Sequence, residues 1–204
     1  MRLSVEAPWS GLEPAEVAQL LSGINRDWWV SGGWALDLWL GRSTRTHGDF
    51  DIGCWHDDLP SVLVSLSGWE CYAAHQGSLT RLGDGRVPAG SSVWMHRRER
   101  STSWDLQLMP EDRWELRWRF RRDARVTLPA QETLFTTDSG IRVLRPEIQL
   151  LYKAKDVRPR DQADFDEVVP SLNDERQGWL AESLRIVHPG HPWIFRLRGP
   201  PPEV

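Results

Sequence analysis

The stretch Ser31-Gly-Gly-Trp-Ala-Leu-Asp-Leu-Trp-Leu-Gly-Arg-Ser-Thr-Arg-Thr-His-Gly-Asp-Phe-Asp-Ile-Gly-Cys54 determines how the rest of this chain can fold. Residues 28–31 predict a short β-strand, and the apolar pattern of residues 33–40 predicts a helix. Glycine has no Cβ, so the two glycines between these elements let the backbone approach a ligand closely at a helix N-terminus. The stretch therefore predicts a site for phosphate.

Acidic and apolar residues alternate in the second half of the stretch. A strand over residues 48–54 places Asp49 and Asp51 on one face and Phe50 and Ile52 on the other. A solvated strand edge would show the same pair of carboxylates. Beside a phosphate-holding turn, however, two carboxylates can supply the hard oxygen ligands that Mg²⁺ takes together with substrate phosphates. The spacing thus allows a magnesium–nucleotide site.

The same residues carry a resemblance to a known family. The matching positions are residues 32–42, then Thr44, Arg45, His47, Asp49 and Asp51. This pattern resembles the signature of aminoglycoside nucleotidyltransferases, which belong to the DNA polymerase β-like superfamily. The resemblance implies that Ser31, Gly32 and Gly33 hold a triphosphate. It also implies that Asp49 and Asp51 bind magnesium and that a third carboxylate comes from a later strand.

Asp105 is our candidate for the third carboxylate that the resemblance implies. A strand over residues 102–109 places Trp104, Leu106 and Leu108 on one face and Asp105 on the other. A single acid between large apolar residues can be delivered into a cleft, although a solvated strand face has the same pattern. By the resemblance, Asp105 is a magnesium ligand and the general base for an acceptor hydroxyl.

Basic residues are the remaining nucleotide-binding candidates. Arg42 and Arg45 precede the carboxylate strand, where arginine can contact phosphate or pair with the carboxylates. The segment 146–165 is also similar to the family, and by that similarity Lys155 contacts phosphate, with Lys153 as the alternative. Lysines in the last turn of a helix also interact favourably with its dipole, which gives both residues a purely structural explanation.

Residues 113–122 alternate between apolar side chains and mostly basic ones. Trp114, Leu116, Trp118 and Phe120 share one face, so the pattern predicts a half-buried strand with its arginines in solvent. Nucleic-acid surfaces present aromatic and basic side chains together, whereas this strand places them on opposite faces. We therefore do not expect this segment to bind nucleic acid.

The acidic balance of the chain favours a cationic small substrate. The net charge is −4, which disfavours a general polyanion binder. One predicted helix is rich in acidic residues, namely Asp161, Asp164, Asp166 and Glu167. This cluster can line a pocket for an amine-rich acceptor, or it can simply be solvated.

Length and composition predict a soluble globular protein. The chain has 204 residues, of which 40% are hydrophobic and 26% charged, an ordinary balance for such a protein. Its two cysteines show no metal or disulfide spacing, and no apolar run predicts a membrane span or signal peptide, so we expect a cytoplasmic location. The predicted fold class is α+β, with a small mixed-sheet nucleotidyltransferase core over residues 1–144 and a C-terminal helical region over residues 145–204.

Together with the resemblance, these residues predict a magnesium-dependent nucleotidyltransferase that confers antibiotic resistance. It would move a nucleoside monophosphate, with ATP favoured over other NTPs as the donor, onto a hydroxyl of a small molecule, with an aminoglycoside-like antibiotic favoured. Two Mg²⁺ ions would be held by Asp49, Asp51 and Asp105. The alternatives are a toxin-like nucleotidyltransferase acting on a protein or RNA, and a non-catalytic nucleotide- or RNA-binding protein.

Overall fold

A computed structural model describes residues 3–83, 87–88, 90–99 and 102–197 of the chain. The strands are β1 Trp28–Val30, β2 Asp51–Trp55, β3 Trp69–His75, β4 Ser78–Arg81, β5 Ser92–Arg97, β6 Leu106–Trp114, β7 Arg117–Arg119, β8 Thr127–Pro129, β9 Leu134–Thr136 and β10 Arg142–Leu144. The α-helices are α1 Pro14–Leu20, α2 Gly32–Leu40, α3 Leu59–Ser65, α4 Pro146–Lys153, α5 Pro159–Val168 and α6 Asp174–Val187.

The strands form one mixed sheet in the order β4-β3-β5-β6-β2-β1-β10-β9, and β7 and β8 extend it from the far end of β6. β2 lies near the centre, antiparallel to β1 and parallel to β6, with Asp51 opposite Gln107. A mixed sheet with helices packed on it confirms the predicted α+β class.

Two apolar clusters cover the two faces of the sheet. Ile52 of β2 and Leu108 of β6 belong to the cluster that includes α1 and α3, whereas Trp29 of β1 and Phe165 belong to the cluster that includes α4, α5 and α6. Side chains alternate across a strand, so Asp51 lies on the face opposite Ile52. The Asp51 carboxylate therefore points toward the C-terminal helices.

Helix α2 begins and ends at glycines in the left-handed region. Gly32 at its start has φ +69° and Gly41 at its C-cap has φ +66°, which glycine adopts without steric cost. The predicted end at Gly41 is confirmed, and the helix begins one residue before its predicted start. Trp39 of α2 donates its indole N–H to Ser171 Oγ at 2.7 Å, which anchors the helix to the segment after α5.

Two details of the predicted strands near the carboxylates are wrong. Asp49 lies in a bend before β2, so it is not part of the strand that carries Asp51. Trp104 packs with Tyr72 in a third small cluster, on the opposite face of the sheet from Leu106. The alternation breaks at Asp105, which precedes the first residue of β6. Irregular backbone, and not a regular strand, therefore presents Asp105.

The predicted strand over residues 113–122 is a hairpin. β6 ends at Trp114 and the chain turns at Glu115, which has φ +55°, before β7 begins. Trp118 is buried as predicted, but Trp114 and Leu116 at the hairpin tip are exposed. Apolar and polar side chains alternate on both sides of the turn, because each arm of a hairpin is a strand with a repeat of two residues. The sequence pattern therefore does not reveal the turn.

The C-terminal region is helical, as predicted. Asn173 caps α6 by accepting the Arg176 backbone N–H at 3.0 Å, the interaction expected of an N-cap asparagine. α4 to α6 all follow β10, and this order supports our proposal of a boundary between residues 144 and 145. Residues 198–204 of the proposed helical region lie outside the described residues. Of the helices in the described part of the chain, none has the length and apolar character that crossing a membrane requires.

Candidate active site

The glycine turn packs directly against Asp51, the first residue of β2. A Cβ on Gly32 would lie 2.2 Å from Asp51 Oδ2, far inside van der Waals contact. The backbone N–H of Ser31 donates to the Asp51 carbonyl at 2.9 Å, which fixes the turn beside β2. Only glycine fits at position 32, because both its φ and its closeness to Asp51 exclude a side chain.

The second glycine accommodates the connector that leads to β2. A Cβ on Gly33 would lie 2.4 Å from His47 Nδ1 and 2.5 Å from Arg45 Nη2. His47 in turn makes a 2.7 Å contact with the buried Asp37 carboxylate, and Trp34 packs against its ring at a tilt of 36°, with centroids 4.5 Å apart. Gly33 therefore brings α2 and the 41–50 connector together, and His47 serves to hold them.

Electrostatics single out Asp51 among the candidate residues. Burial, and then the neighbouring charge of Asp49, raise the pKa of Asp51 to about 7, although Lys153, Arg160 and Arg121 act in the opposite direction. The positive side chains near these two half-buried carboxylates do not fully compensate their negative charges. A bound hard cation would supply the missing positive charge. The pair Asp49 and Asp51 therefore fits Mg²⁺. Within the described residues no set of three His, Cys, Asp or Glu side chains is arranged to hold a metal.

Asp105 lies in a different environment from Asp51. Its side chain is fully buried and accepts the Arg97 backbone N–H at 2.8 Å and Arg97 Nη2 at 3.1 Å, so both oxygens have a partner. β6 is adjacent to β2, but Asp105 is not among the residues that line the cavity beside Asp51. The structure thus presents Asp105 as the buried partner of Arg97.

A cavity of about 390 Å³ opens beside the turn and Asp51. Its charged lining comprises Arg121, Arg122, Lys153, Lys155 and Arg158 against Asp51, Asp156 and Asp161. The excess of positive side chains suits a polyanion such as a triphosphate. Lys155 is exposed at the rim and lies 3.9 Å from Asp156, whereas buried Lys153 lies between Asp161 at 3.0 Å and Asp164 at 2.9 Å.

Arg42 and Arg45 both form ion pairs with α5. Arg42 contacts Glu167, and Arg45 donates to both carboxylate oxygens of Asp164 at 2.9 and 3.1 Å. The hydrogen bond with Asp164 raises the pKa of Arg45. Of the two explanations open from the sequence, the structure shows pairing with carboxylates, although these come from α5 and not from the 49–51 pair.

Each acidic residue of the α5 cluster has a basic partner. Asp166 pairs with Arg196 at 2.6 Å, and Glu167 pairs with Arg42. Burial opposes ionisation of Asp161, but contacts with Arg158 and Lys153 outweigh it and lower the pKa of Asp161 to about 2. The cluster is therefore neither merely solvated nor an open acidic pocket, because the protein's own cations neutralise it.

A sequence model of the aminoglycoside-2''-adenylyltransferase family matches residues 15–168, which is well over half of the 204-residue chain. The matched range contains the glycine turn, the three predicted carboxylates and α5. The chain belongs to this family. Membership confirms the resemblance drawn from the glycine turn and the Asp-Phe-Asp segment.

Relatives with a curated description match only part of this chain. Proteins described as 2''-aminoglycoside nucleotidyltransferase from Escherichia coli and Klebsiella pneumoniae are 33% identical to it over 69 residues, which is 32% of this chain and 39% of each relative. The chain thus matches less than half the length of these relatives. The activity and substrates of these relatives are therefore only proposed for this chain.

Solved structures share the fold of this family member. The lincosamide antibiotic adenylyltransferase LnuA with lincomycin bound aligns with a TM-score of 0.54 and 17% identity, over 78% of this chain and 98% of that chain. ANT(2'')-Ia in complex with adenylyl-2''-tobramycin aligns with a TM-score of 0.55 and 16% identity, over 84% and 99%. At such low identity the alignment shows a common α+β fold.

The family pattern did not lead us to Gln149, which occupies a central place in the site. Gln149 of α4 is buried and accepts the Gly32 backbone N–H through Oε1 at 2.8 Å. It also lines the cavity beside Asp51. A polar residue within the apolar run of α4 was the available signal, because a buried amide must find a hydrogen-bond partner.

Tyr152 and Glu111 were also missed. The Tyr152 hydroxyl donates to Glu111 Oε2 at 2.7 Å, and the Trp118 indole N–H donates to the same oxygen at 2.8 Å. Burial raises the pKa of Glu111 despite these two donors. The pair fixes the ring of Tyr152 on the wall of the cavity, and no local pattern indicated that β6 and α4 would meet there.

Proposed function

We propose that this protein is a Mg²⁺-dependent nucleotidyltransferase that transfers AMP from ATP to a hydroxyl of a small molecule, with an aminoglycoside-like antibiotic as the favoured acceptor. The observation that carries the proposal is the contact between the glycine turn and Asp51, where no side chain fits between Gly32 and the carboxylate. Such a turn lets a nucleotide phosphate approach both the helix N-terminus and a metal-binding carboxylate.

The turn of Ser31, Gly32 and Gly33 is the proposed triphosphate site. In the structure Gln149 accepts the Gly32 N–H, so a phosphate oxygen that binds this N–H takes the place of the amide oxygen. Of the two lysines, we assign phosphate binding to Lys155, because Lys153 is already held by two aspartates. Lys155 is exposed at the cavity rim.

The sequence made Arg42 and Arg45 candidates for phosphate contact. We propose instead that they hold the segment before Asp49 in place. Each is paired with an acid of α5, and Arg45 also packs beside Gly33. These pairs connect the segment before Asp49 to the C-terminal helices. Loss of either pair would shift the carboxylates relative to the cavity.

Magnesium is proposed to bind with the nucleotide at Asp49 and Asp51, where the uncompensated charge favours it. When bound, Mg²⁺ would neutralise phosphate charge and polarise the reacting phosphorus–oxygen bonds. A second ion, as predicted from the family resemblance, would need Asp105. Both oxygens of Asp105 bind Arg97 in this structure, so that role requires Arg97 to release one of them.

In the proposed reaction, the acceptor hydroxyl oxygen attacks the α-phosphorus in line with the leaving group. A new phosphorus–oxygen bond forms, the bond to pyrophosphate breaks, and the hydroxyl proton passes to a general base. We assign this base to Asp105, supported by its place directly before β6, the strand that pairs with β2. Lys155, which contacts phosphate in our proposal, would stabilise the charge of the departing pyrophosphate.

The acceptor class follows from the relatives and from charge. The curated relatives are described as 2''-aminoglycoside nucleotidyltransferases, and LnuA was solved with lincomycin, so a hydroxyl-bearing antibiotic is the proposed acceptor. A net charge of −4 supports a cationic one. The acidic residues of α5 no longer support it, because all four are paired. Two free cysteines, Cys54 and Cys71, are consistent with a cytoplasmic protein.

Pyrophosphate release tests this proposal directly. Purified protein is incubated with Mg²⁺, each of the four NTPs, and a panel of aminoglycosides, lincosamides and neutral polyols, with an Asp51→Asn variant as the control. We expect acceptor-dependent release with ATP and an aminoglycoside, and none from the variant. Acceptor-independent release, or equal release from Asp51→Asn, would contradict the assignment. Transfer to RNA or protein alone would contradict the small-molecule acceptor.

A further inference from the structure

The cations that line the cavity beside Asp51 differ in their partners. Lys153 and Arg158 pair with Asp161, Lys155 lies near Asp156, and Arg122 Nη1 donates to the Tyr152 carbonyl at 2.8 Å. Within the described chain, Arg121 alone among these cations contacts neither a carboxylate nor a carbonyl oxygen. Its Nη2 lies 4.0 Å from Met109 Sδ, which is a weak acceptor.

The position of Arg121 is nevertheless well defined. Its guanidinium lies over the Tyr152 ring, 5.4 Å from the ring centroid, which is a cation–π distance. The ring itself is held by the hydrogen bond from its hydroxyl to buried Glu111. Arg121 belongs to the turn that follows β7, so the hairpin and α4 together place a guanidinium on the wall of the cavity that Gly32 also lines.

Two guanidiniums share this ring. Arg122 lies 5.2 Å from the Tyr152 centroid, and partial burial followed by the charge of Arg121 lowers the pKa of Arg122. Like charges held together in a cavity repel each other, and an anion bound between them removes that cost. The Arg121 guanidinium presents its N–H donors in a fork that matches phosphate oxygens, and among the described residues only the weak sulfur acceptor of Met109 engages one of them.

We propose that Arg121 binds the phosphate chain of the nucleotide, so that the triphosphate is held between the glycine turn on one side and the β7–β8 turn on the other. This inference deepens the proposed function and rests on it. It gives the 113–122 segment a role that its alternation did not suggest, because the hairpin turns Arg121 inward to the cavity. The ligand chemistry is a linear polyphosphate.

The test measures binding of inorganic tripolyphosphate by calorimetry without Mg²⁺, so that the result is independent of catalysis. Arg121→Gln should weaken binding about 10- to 100-fold, the usual effect of losing charge-assisted hydrogen bonds. Arg121→Lys keeps the charge and the stem but loses the fork, and it should lie between wild type and Arg121→Gln. Arg117→Gln is the matched control, since Arg117 lies in the same hairpin but donates to Thr127 Oγ1 on the surface.

Each outcome decides the inference. Wild-type affinity in Arg121→Gln, or equal losses in Arg121→Gln and Arg117→Gln, would overturn it even if the wild type releases pyrophosphate. No binding of tripolyphosphate by the wild-type protein would overturn it as well. Arg121-dependent binding without pyrophosphate release under any condition would support the inference and contradict the proposed function. If Arg121→Gln fails to fold by circular dichroism, the comparison of Arg121→Lys with Arg117→Gln decides.

Discussion

Asp51 is a half-buried acid at the start of β2 and Asp105 a buried acid just before the neighbouring strand β6, yet their charges are treated in opposite ways. Asp51 lies beside another carboxylate, and its pKa is raised to about 7. Asp105 is neutralised by a backbone N–H and a guanidinium from Arg97. A buried acid left without compensation is destabilising unless a cation binds, and a buried paired acid becomes such a residue once its partner is removed. The difference indicates which carboxylate is ready for a ligand and which must first give up a partner.

The largest expected effect separates the two carboxylates by role. Asp51→Asn should impair Mg²⁺–nucleotide binding and turnover together, as should Asp49→Asn, because both remove a proposed ligand of the metal that accompanies the nucleotide. Asp105→Asn should lower kcat by about 10²–10⁴, the usual contribution of a general base, while most nucleotide affinity remains. Calorimetry with a non-hydrolysable ATP analogue and Mg²⁺, together with steady-state kinetics, measures both. Near-native kcat in Asp105→Asn would show that the base lies elsewhere.

A second comparison concerns the ion pair that holds Asp105. Arg97→Gln leaves a buried carboxylate with one backbone donor, so it should lower the free energy of unfolding by about 3–5 kcal/mol. The matched control is Arg81→Gln, which breaks the more exposed pair with Glu70 and should cost less than about 1 kcal/mol. Urea unfolding measures both variants. Equal small losses would mean that Asp105 is not neutralised by Arg97 in solution.

The two left-handed glycines of α2 give the third comparison. Gly32 and Gly41 have nearly the same φ, but a Cβ at Gly32 meets Asp51 whereas one at Gly41 meets no atom within 4 Å. Both alanine variants should lose about 1–2 kcal/mol from backbone strain. Gly32→Ala should in addition lower kcat/KM for MgATP by about 10²-fold or more, since it displaces Asp51 and the turn.

Steady-state kinetics at matched fractions of folded protein tests the glycine pair. Gly41→Ala should keep a wild-type kcat/KM once the fraction unfolded is accounted for. If the two variants lose activity equally, the contact between the turn and Asp51 is not what the site depends on.

Local patterns were enough for the elements that the chain builds from neighbouring residues. The turn, α2 and its end at Gly41 were predicted because turn chemistry and the apolar pattern act over a few residues. The break between Trp104 and Leu106 was not predictable in this way, because it depends on a small cluster that only the folded sheet assembles. The 113–122 hairpin was missed because a turn need not interrupt the alternation of its arms.

The candidate site shows the same limit. Gly32 and Asp51 are close in sequence and the family signature contains both, so the sequence was sufficient to find them. Gln149, Tyr152 and Arg121 reach the cavity from α4 and the β7–β8 turn, and their roles depend on how these elements pack. Long-range contacts of this kind leave no periodic signal in a single sequence.

The smallest expected effect, on stability, tests the raised pKa of Asp51 without any ligand. The folded protein keeps a proton on Asp51 up to about pH 7, whereas the unfolded chain releases it near pH 3.8. Between these values the folded state binds more protons, so the free energy of unfolding should fall as pH rises through this window and remain low above it. Asp51→Asn removes the penalty, and at pH 8 the variant should be more stable than wild type by about 1–2 kcal/mol, after allowing for solvent screening of a half-buried group. Below pH 4 the two proteins should differ little.

Urea unfolding at pH 4, 6 and 8 measures the difference in stability between Asp51→Asn and wild type, and Mg²⁺ at pH 8 should recover part of that difference for wild type only. A variant that is less stable than wild type at pH 8 would mean that the Asp51 charge is already compensated, and the contrast with Asp105 would then disappear.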